Sequence, residues 1–331
     1  MAEYKGIHGT KVQNYTSDPT NPIIGQVWYN ETSQTMKVES VTTVGSWATG
    51  GSLNTARRYN SGAGSQTAAL TFGGDGGGPS FLTVTESYNG SSWTELNDLN
   101  TGRYLAGGFG TQTAALYVAG DTGGPLNRVA NVESWNGTSW TETTDINSAR
   151  RQEGANGTQT SGLIYGGDNP SFTGATESWN GSAWTELNDL NLARGTMGSV
   201  GADNTSALGF AGYSPGPTGG GQNTNTESWN GTSWTEVNDV NTGRHVLGSS
   251  GTQPSALGFG GFPGPLGNTE EWNGTSWTEV NDLNTSRGVW TQGTGTTVSG
   301  LASGGATPSV TGATEEWTGA GAGQTKTITS S

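Results

Sequence analysis

Apolar and polar positions alternate in short runs along this chain, and the runs recur. Each unit carries a stretch of small residues that ends apolar, such as Gly64–Leu70 or Gly110–Leu116. A doublet of small residues comes next: Gly73-Gly74, Ala119-Gly120, Gly166-Gly167, Ala211-Gly212, Gly260-Gly261 and Gly304-Gly305. A variable loop follows, then Glu, Ser or Glu, and an aromatic residue, at Glu86–Tyr88, Glu133–Trp135, Glu177–Trp179, Glu227–Trp229, Glu270–Trp272 and Glu315–Trp317. In the first five copies Asn-Gly follows directly, and a tryptophan stands five residues beyond the aromatic. Asn-Gly between such segments is a hairpin signal, because both residues tolerate positive φ. A two-residue turn at Asn89-Gly90 pairs Tyr88 with Ser91 and Glu86 with Trp93. It puts Tyr88 and Trp93 on one face of a sheet, set to pack on the next repeat.

The repeat tryptophans are Trp47, Trp93, Trp140, Trp184, Trp234 and Trp277, spaced 43–50 residues apart. Ten residues after each comes an arginine: Arg57, Arg103, Arg150, Arg194, Arg244 and Arg287. Between them, Asn recurs at Asn54, Asn100, Asn147, Asn191, Asn241 and Asn284, and Asp at Asp98, Asp145, Asp189, Asp239 and Asp282. A period in this range marks a modular fold with one supersecondary unit per repeat. Four strand-like pieces per unit predict an all-β chain built as a β-propeller, and six doublets imply six blades. The Trp47 segment and the C-terminal Gln324–Thr329 segment both compete to close the ring, since joining the two ends of the chain removes free edges. The alternative is seven blades, with a composite blade made from Val27–Asn30, Thr35–Val38 and the C-terminal strand. Residues 1–24 show no periodicity and contain Pro19 and Pro22. They read as an arm or anchor ahead of a propeller spanning 25–331.

Composition changes the picture in three ways. Only 30% of residues are hydrophobic and 58 are Gly, which leans toward disorder, but 13 Trp argue for a packed core. The net charge of −14 disfavours nucleic acid and anionic membrane as partners. There is no Cys and there are only two His, so disulfides and thiolate metal sites are excluded. No apolar run has the length of a membrane span, and the first residues lack the apolar stretch of a secretory signal. Action outside a cell would then need another route, such as lysis.

A glycine doublet, an aromatic, a Trp and an Arg after the crossover resemble the kelch repeat of β-propellers over about residues 45–317. The aromatic-to-Trp spacing of five is shorter than that family's usual one. The near-identical copies, the GTQTAAL-type strands and the GQVWYN–TMKV segment also resemble kelch-like virion-surface or tail proteins of marine bacteriophages. That second resemblance implies a non-enzymatic structural protein of the virion, made in the host cytoplasm. Its arm would meet other virion proteins, and its loop face a host glycan or protein. A glycan-active enzyme on the same scaffold and an intracellular interaction module are the other readings. The copper oxidases of this fold need a Cys–Tyr cofactor and several His ligands, which this composition excludes. No cofactor and no metal are expected.

The sixfold Arg/Asn/Asp set reads as architecture, because a feature repeated identically in every unit holds the fold. Function is sought where repeats differ. The loops after the doublets carry Phe81, Phe172, Tyr213 and Phe262. Aromatic faces beside polar side chains suit sugar recognition. Tyr213 and Phe262 occupy equivalent positions on adjacent repeats and form the expected stacking platform, bordered by Arg244 and His245. Trp290, like His245, follows a crossover Arg uniquely and is a further pocket candidate. Asp75, Asp121 and Asp168 each follow a doublet; they read as turn residues rather than one calcium site. The Asn-Gly-Ser/Thr tripeptides match the glycosylation pattern but are explained by the hairpins.

Overall fold

The computed structural model describes residues 12–41, 44–124, 127–215, 221–289, 294–321 and 323–328. It is all-β among these residues, with no helix long and apolar enough to cross a membrane. The chain forms two compact units, Ser46–Thr318 and a smaller one built from Met1–Gly45 and Gly319–Ser331.

The larger unit is a six-bladed β-propeller. Blade 1 comprises Ser61–Ser65, Ala68–Phe72, Thr85–Tyr88 and Trp93–Glu95, each antiparallel to the next. Blades 2 to 5 repeat the meander over 107–143, 154–187, 198–237 and 248–280. Blade 6 takes Ser299–Ser303 and Thr314–Thr318 from the end of the ring and Ser46–Thr49 from its start, with Trp317 opposite Trp47. The Trp47 segment is therefore the strand that closes the ring. In blades 1 to 5 the first strand lies innermost, against its counterparts in the neighbouring blades.

The doublets explain the ring closure. The second residue of each doublet donates its N–H to the carbonyl of the next crossover arginine: Gly74 to Arg103, Gly120 to Arg150, Gly167 to Arg194, Gly212 to Arg244, Gly261 to Arg287 and Gly305 back to Arg57, at 2.8–2.9 Å. Six links complete the circle. A Cβ on Gly304 would lie 2.5 Å from the Arg57 carbonyl, so glycine relieves the approach in this blade. Ala119 and Ala211 take the same positive φ, 58° and 57°, at the two units that lack the first glycine.

Each crossover arginine is buried and paired with the glutamate of the third strand: Arg57–Glu86, Arg103–Glu133, Arg150–Glu177, Arg194–Glu227, Arg244–Glu270 and Arg287–Glu315. The glutamate also accepts from the backbone N–H and side-chain amide of the repeat asparagine, as Glu86 does from Asn54 at 2.8 and 2.9 Å. One buried carboxylate thus satisfies both the guanidinium and the start of the crossover, which is how a buried charge is tolerated.

The hairpins differ from expectation. Tyr88 lies directly opposite Trp93, not opposite Ser91, so the loop is four residues long. Asn89 Oδ1 accepts from the N–H groups of Ser91 and Ser92, at 3.0 Å each, and this side-chain cap replaces the two-residue turn. The shift of register conserves the face: Tyr88 and Trp93 rings pack 4.9 Å apart. They reach the preceding blade rather than the next. Trp93, Trp140, Trp234, Trp277 and Trp47 donate from Nε1 to Thr314, Thr85, Thr176, Thr226 and Thr269. Blade 2 has Val132 at that position, and Trp184 donates to the Thr144 carbonyl instead.

The smaller unit is a four-stranded sheet. Gln13–Tyr15 runs parallel to Val27–Asn30, which pairs with Thr35–Val41, which pairs with Gly323–Thr327. The predicted boundary after residue 24 is corrected accordingly: the observed division falls between Gly45 and Ser46, and part of the expected arm is a strand. Asp18 holds this part down by accepting from Trp28 Nε1 at 2.9 Å and Asn30 Nδ2 at 2.7 Å. Residues 1–11 lie outside the described residues. The Val27–Asn30 hairpin and the C-terminal strand do come together, as the seven-blade alternative required. They form their own unit, and the six-membered ring closes without them.

Candidate functional site

The residue after each crossover arginine pairs through both backbone groups, or as a bridge, with the residue after the doublet of the same blade. The pairs are Arg58/Asp75, Tyr104/Asp121, Arg151/Asp168, Gly195/Tyr213, His245/Phe262 and Gly288/Ala306. The next residues along are linked in series around a smaller circle, from Tyr59 to Val289. Leu105 donates its N–H to the Tyr59 carbonyl, Gln152 to Leu105, Thr196 to Gln152, Val246 to Thr196 and Val289 to Val246. Tyr59, Leu105, Gln152, Thr196 and Val246 adopt positive φ of 53–66°. This conformation is costly for β-branched residues and persists where the surroundings impose it. Rim and circle enclose a cup of about 600 Å³.

The cup has two unlike halves. On blades 1 to 3 the rim is charged and paired. Arg58 meets Asp75 at 2.8 Å; Arg151 bridges Asp121 at 2.8 Å and Asp168 at 3.1 Å; Arg128 reaches Asp168 at 2.7 Å. The aspartates are buried beneath, while the side chains of Arg58 and Arg151 stay 35% and 24% exposed. Burial works against the charge on Arg151, but the Asp168 hydrogen bond and the Asp121 charge outweigh it and hold the guanidinium above its ordinary value. Phe81 stacks on Tyr104 at 4.0 Å, and burial pushes the Tyr104 phenol up.

From the Phe172 loop of blade 3 to blade 5 the rim is aromatic. Tyr213 lies between Phe172, at 5.7 Å, and His245, at 5.5 Å. Burial lowers the affinity of His245 for a proton, so its imidazole is neutral at neutral pH. Its Nδ1 has no hydrogen-bond partner among the described residues.

The structure gathers Tyr213, His245, Phe81 and Phe172 into this cup. It places the others differently. Phe262 is 6.1 Å from His245 and leans over Gly288, where a Cβ would lie 2.1 Å from its ring. The aromatic neighbours of Tyr213 are therefore Phe172 and His245, with His245 standing between Tyr213 and Phe262. Arg244 does not border the cup: it is fully buried against Glu270, which corrects its assignment as a contact residue. Trp290 lies outside the described residues. Sequence reasoning missed Arg58, Tyr59, Tyr104, Arg151 and Gln152. The available signal was their position, one or two residues beyond a repeat-locked arginine, where His245 had already stood out. Among the described residues no cluster of His, Cys, Asp or Glu is arranged to hold a metal. Asp75, Asp121 and Asp168 are engaged by arginines instead.

Beside the circle, Glu153 is fully buried and accepts from the Gly107 N–H at 2.7 Å. Burial pushes its carboxyl up to about 8 from an ordinary 4.5, against the opposing pull of that hydrogen bond, Arg150 and Arg103. The folded state thus keeps a proton that the unfolded chain releases. The resulting stabilisation is complete below the unfolded pKa of 4.5 and is lost as pH rises toward about 8. Glu153→Gln is expected to flatten the stability–pH slope across that window by up to about 1.4 kcal/mol per pH unit. Denaturant midpoints at several pH values measure it, and an unchanged slope would mean that the carboxyl is ionised in the fold.

A solved structure titled "Structure of YjhT" resembles this chain with a TM-score of 0.66, at 12% identity, over 80% of this chain and 95% of that one. No family model matches the chain, and no curated protein does. At that identity the likeness bears on the fold alone, and it agrees with the propeller.

Proposed function

We propose that this chain is a non-enzymatic attachment protein of the kelch type, carried on the surface or tail of a bacteriophage particle, with the cup as its contact site. The observation that carries the binding reading is the cup itself: a concave, partly aromatic site whose acidic groups are all tied to arginines. A buried carboxylate whose oxygens are already engaged by a guanidinium is poorly placed to reach a substrate proton, which disfavours it as a general acid or base. Of the three rim carboxylates only Asp75 lines the cup, and Arg58 holds it. The phage assignment rests on the near-identical repeats and the GQVWYN–TMKV segment, which resemble kelch-like phage proteins. The smaller unit is the proposed contact with other virion proteins, and a host-surface glycan or protein the proposed partner of the cup.

Mass spectrometry of purified particles tests the placement. The protein should be present in fixed ratio to known virion components, and its absence overturns the virion reading. Removing residues 1–24 should leave the propeller folded, since the ring closes through Ser46–Thr49, while abolishing incorporation into particles. The deletion removes the Gln13–Tyr15 strand and the Asp18 anchor of Trp28 from the smaller unit. Thermal melting and particle composition of the truncated protein measure the two effects. Loss of the propeller transition would show that the ring depends on this segment. Glycan release in a hydrolysis assay with the intact chain would favour the enzyme reading over attachment.

A further inference from the structure

The geometry points to an uncharged hexopyranose unit as the ligand of the cup, bound with its apolar ring face on Tyr213 and Phe172 and its hydroxyls toward Arg58 and Arg151. This deepens the proposed contact site and rests on it. Three observations select the chemistry.

The first is shape. A cavity of about 600 Å³ falls in the range of small-molecule pockets and is concave, whereas a folded protein partner docks on a broad surface.

The second is charge. Each arginine lining the cup already has a carboxylate: Arg58 has Asp75, and Arg151 has Asp121 and Asp168, the latter shared with Arg128. An anionic ligand would have to compete with these pairs inside a chain of net charge −14. A cationic ligand finds the aspartates buried under the guanidiniums. The neutral imidazole of His245 adds no charge on the other side.

The third is the arrangement of donors and faces. Guanidinium groups keep N–H donors after pairing, because each carries five. The partly exposed Arg58 and Arg151 both line the cup and present them there. Phe172, on the same blade as Arg151, meets the Tyr213 ring of the next blade at 49°, and Tyr213 meets His245 at 56°, an open fold of aromatic faces. A pyranose has the same two sides, with an apolar face of C–H groups and an edge of hydroxyls.

The test uses the full chain and a panel of methyl glycosides of glucose, galactose, mannose and N-acetylglucosamine. Methyl glucuronide, N-acetylneuraminic acid and choline serve as charged probes. Saturation-transfer NMR and calorimetry should show binding of at least one neutral glycoside, with affinity changed less than about twofold between low and high salt. Tyr213→Ala and Phe172→Ala should each weaken it at least about tenfold, and Tyr213→Phe, which keeps the stacking face, should retain most of it. Thermal midpoints of all variants confirm folding, and Tyr213→Phe keeps the test decisive if an alanine variant unfolds. Tighter, salt-sensitive binding of a charged probe that still depends on Tyr213 would overturn the neutral-sugar inference while leaving the cup as the binding site. No binding by any probe, or binding indifferent to all three variants, would overturn both.

Discussion

Trp184→Ala is expected to destabilise the propeller by about 3–5 kcal/mol. Trp184 is 7% exposed and packs 5.2 Å from Trp179 in a cluster with Val132 and Ile146 of the preceding blade. Removing the indole forfeits its burial and leaves a cavity between two sheets, whose backbones are held by the circular hydrogen bonds and so cannot collapse into it. It also leaves the Thr144 carbonyl without the Nε1 donor. Denaturant unfolding at constant m-value measures the change. A loss below about 1 kcal/mol would mean that the interface relaxes around the gap.

Glu227→Gln is expected to cost a comparable amount, about 3–5 kcal/mol, by a different route. The Glu227 carboxylate receives Arg194 Nη1 at 2.5 Å, the Asn191 N–H and Nδ2 at 2.7 Å each, and the Leu192 N–H at 3.3 Å. Glutamine keeps the shape, but its amide presents N–H groups to neighbours that are themselves donors. The fully buried Arg194 is left without a counter-charge. The same midpoint measurement applies. A neutral result would show that the shape of the side chain, and not its charge, organises the crossover.

These two side chains were legible in the sequence for the same reason: each recurs once per blade, at a fixed offset from an Asn-Gly hairpin or a doublet. The placing of tryptophans between blades follows from that regularity, whereas the pairing of each arginine with the third-strand glutamate of its own blade is seen only in the fold. The hairpin register did not follow. Asn-Gly is compatible with a two-residue turn, but direct opposition of Tyr88 and Trp93 packs two rings together, and the Asn89 side chain can close the wider loop. Packing and capping outweighed the preference of the dipeptide.

The cup was half legible. His245 and Tyr213 stood out as departures from the repeat, whereas Arg58 and Arg151 looked like ordinary polar residues beside the structural arginines. Arg244 was misplaced because its periodic role and its proximity to His245 in sequence pointed opposite ways. At the isolated His245–Phe262 bridge the chain is extended and adjacent side chains diverge, so Arg244 is buried against Glu270 while His245 lines the cup.

Local, periodic chemistry in the chain was enough to specify strand class, the buried tryptophans and the crossover arginines, because each depends on contacts within one repeat or between adjacent copies. Tertiary structure alone decided three things. Pairing of Ser46–Thr49 with Thr314–Thr318 chose the closing strand over Gly323–Thr327, which found Thr35–Val41 instead. That same long-range pairing moved the unit boundary to Gly45. The cup arose where single, non-repeating residues of five blades converge at the ring mouth, some forty to fifty residues apart in sequence. Such convergence depends on the curvature of the closed ring, a property of the whole circle that no single repeat encodes.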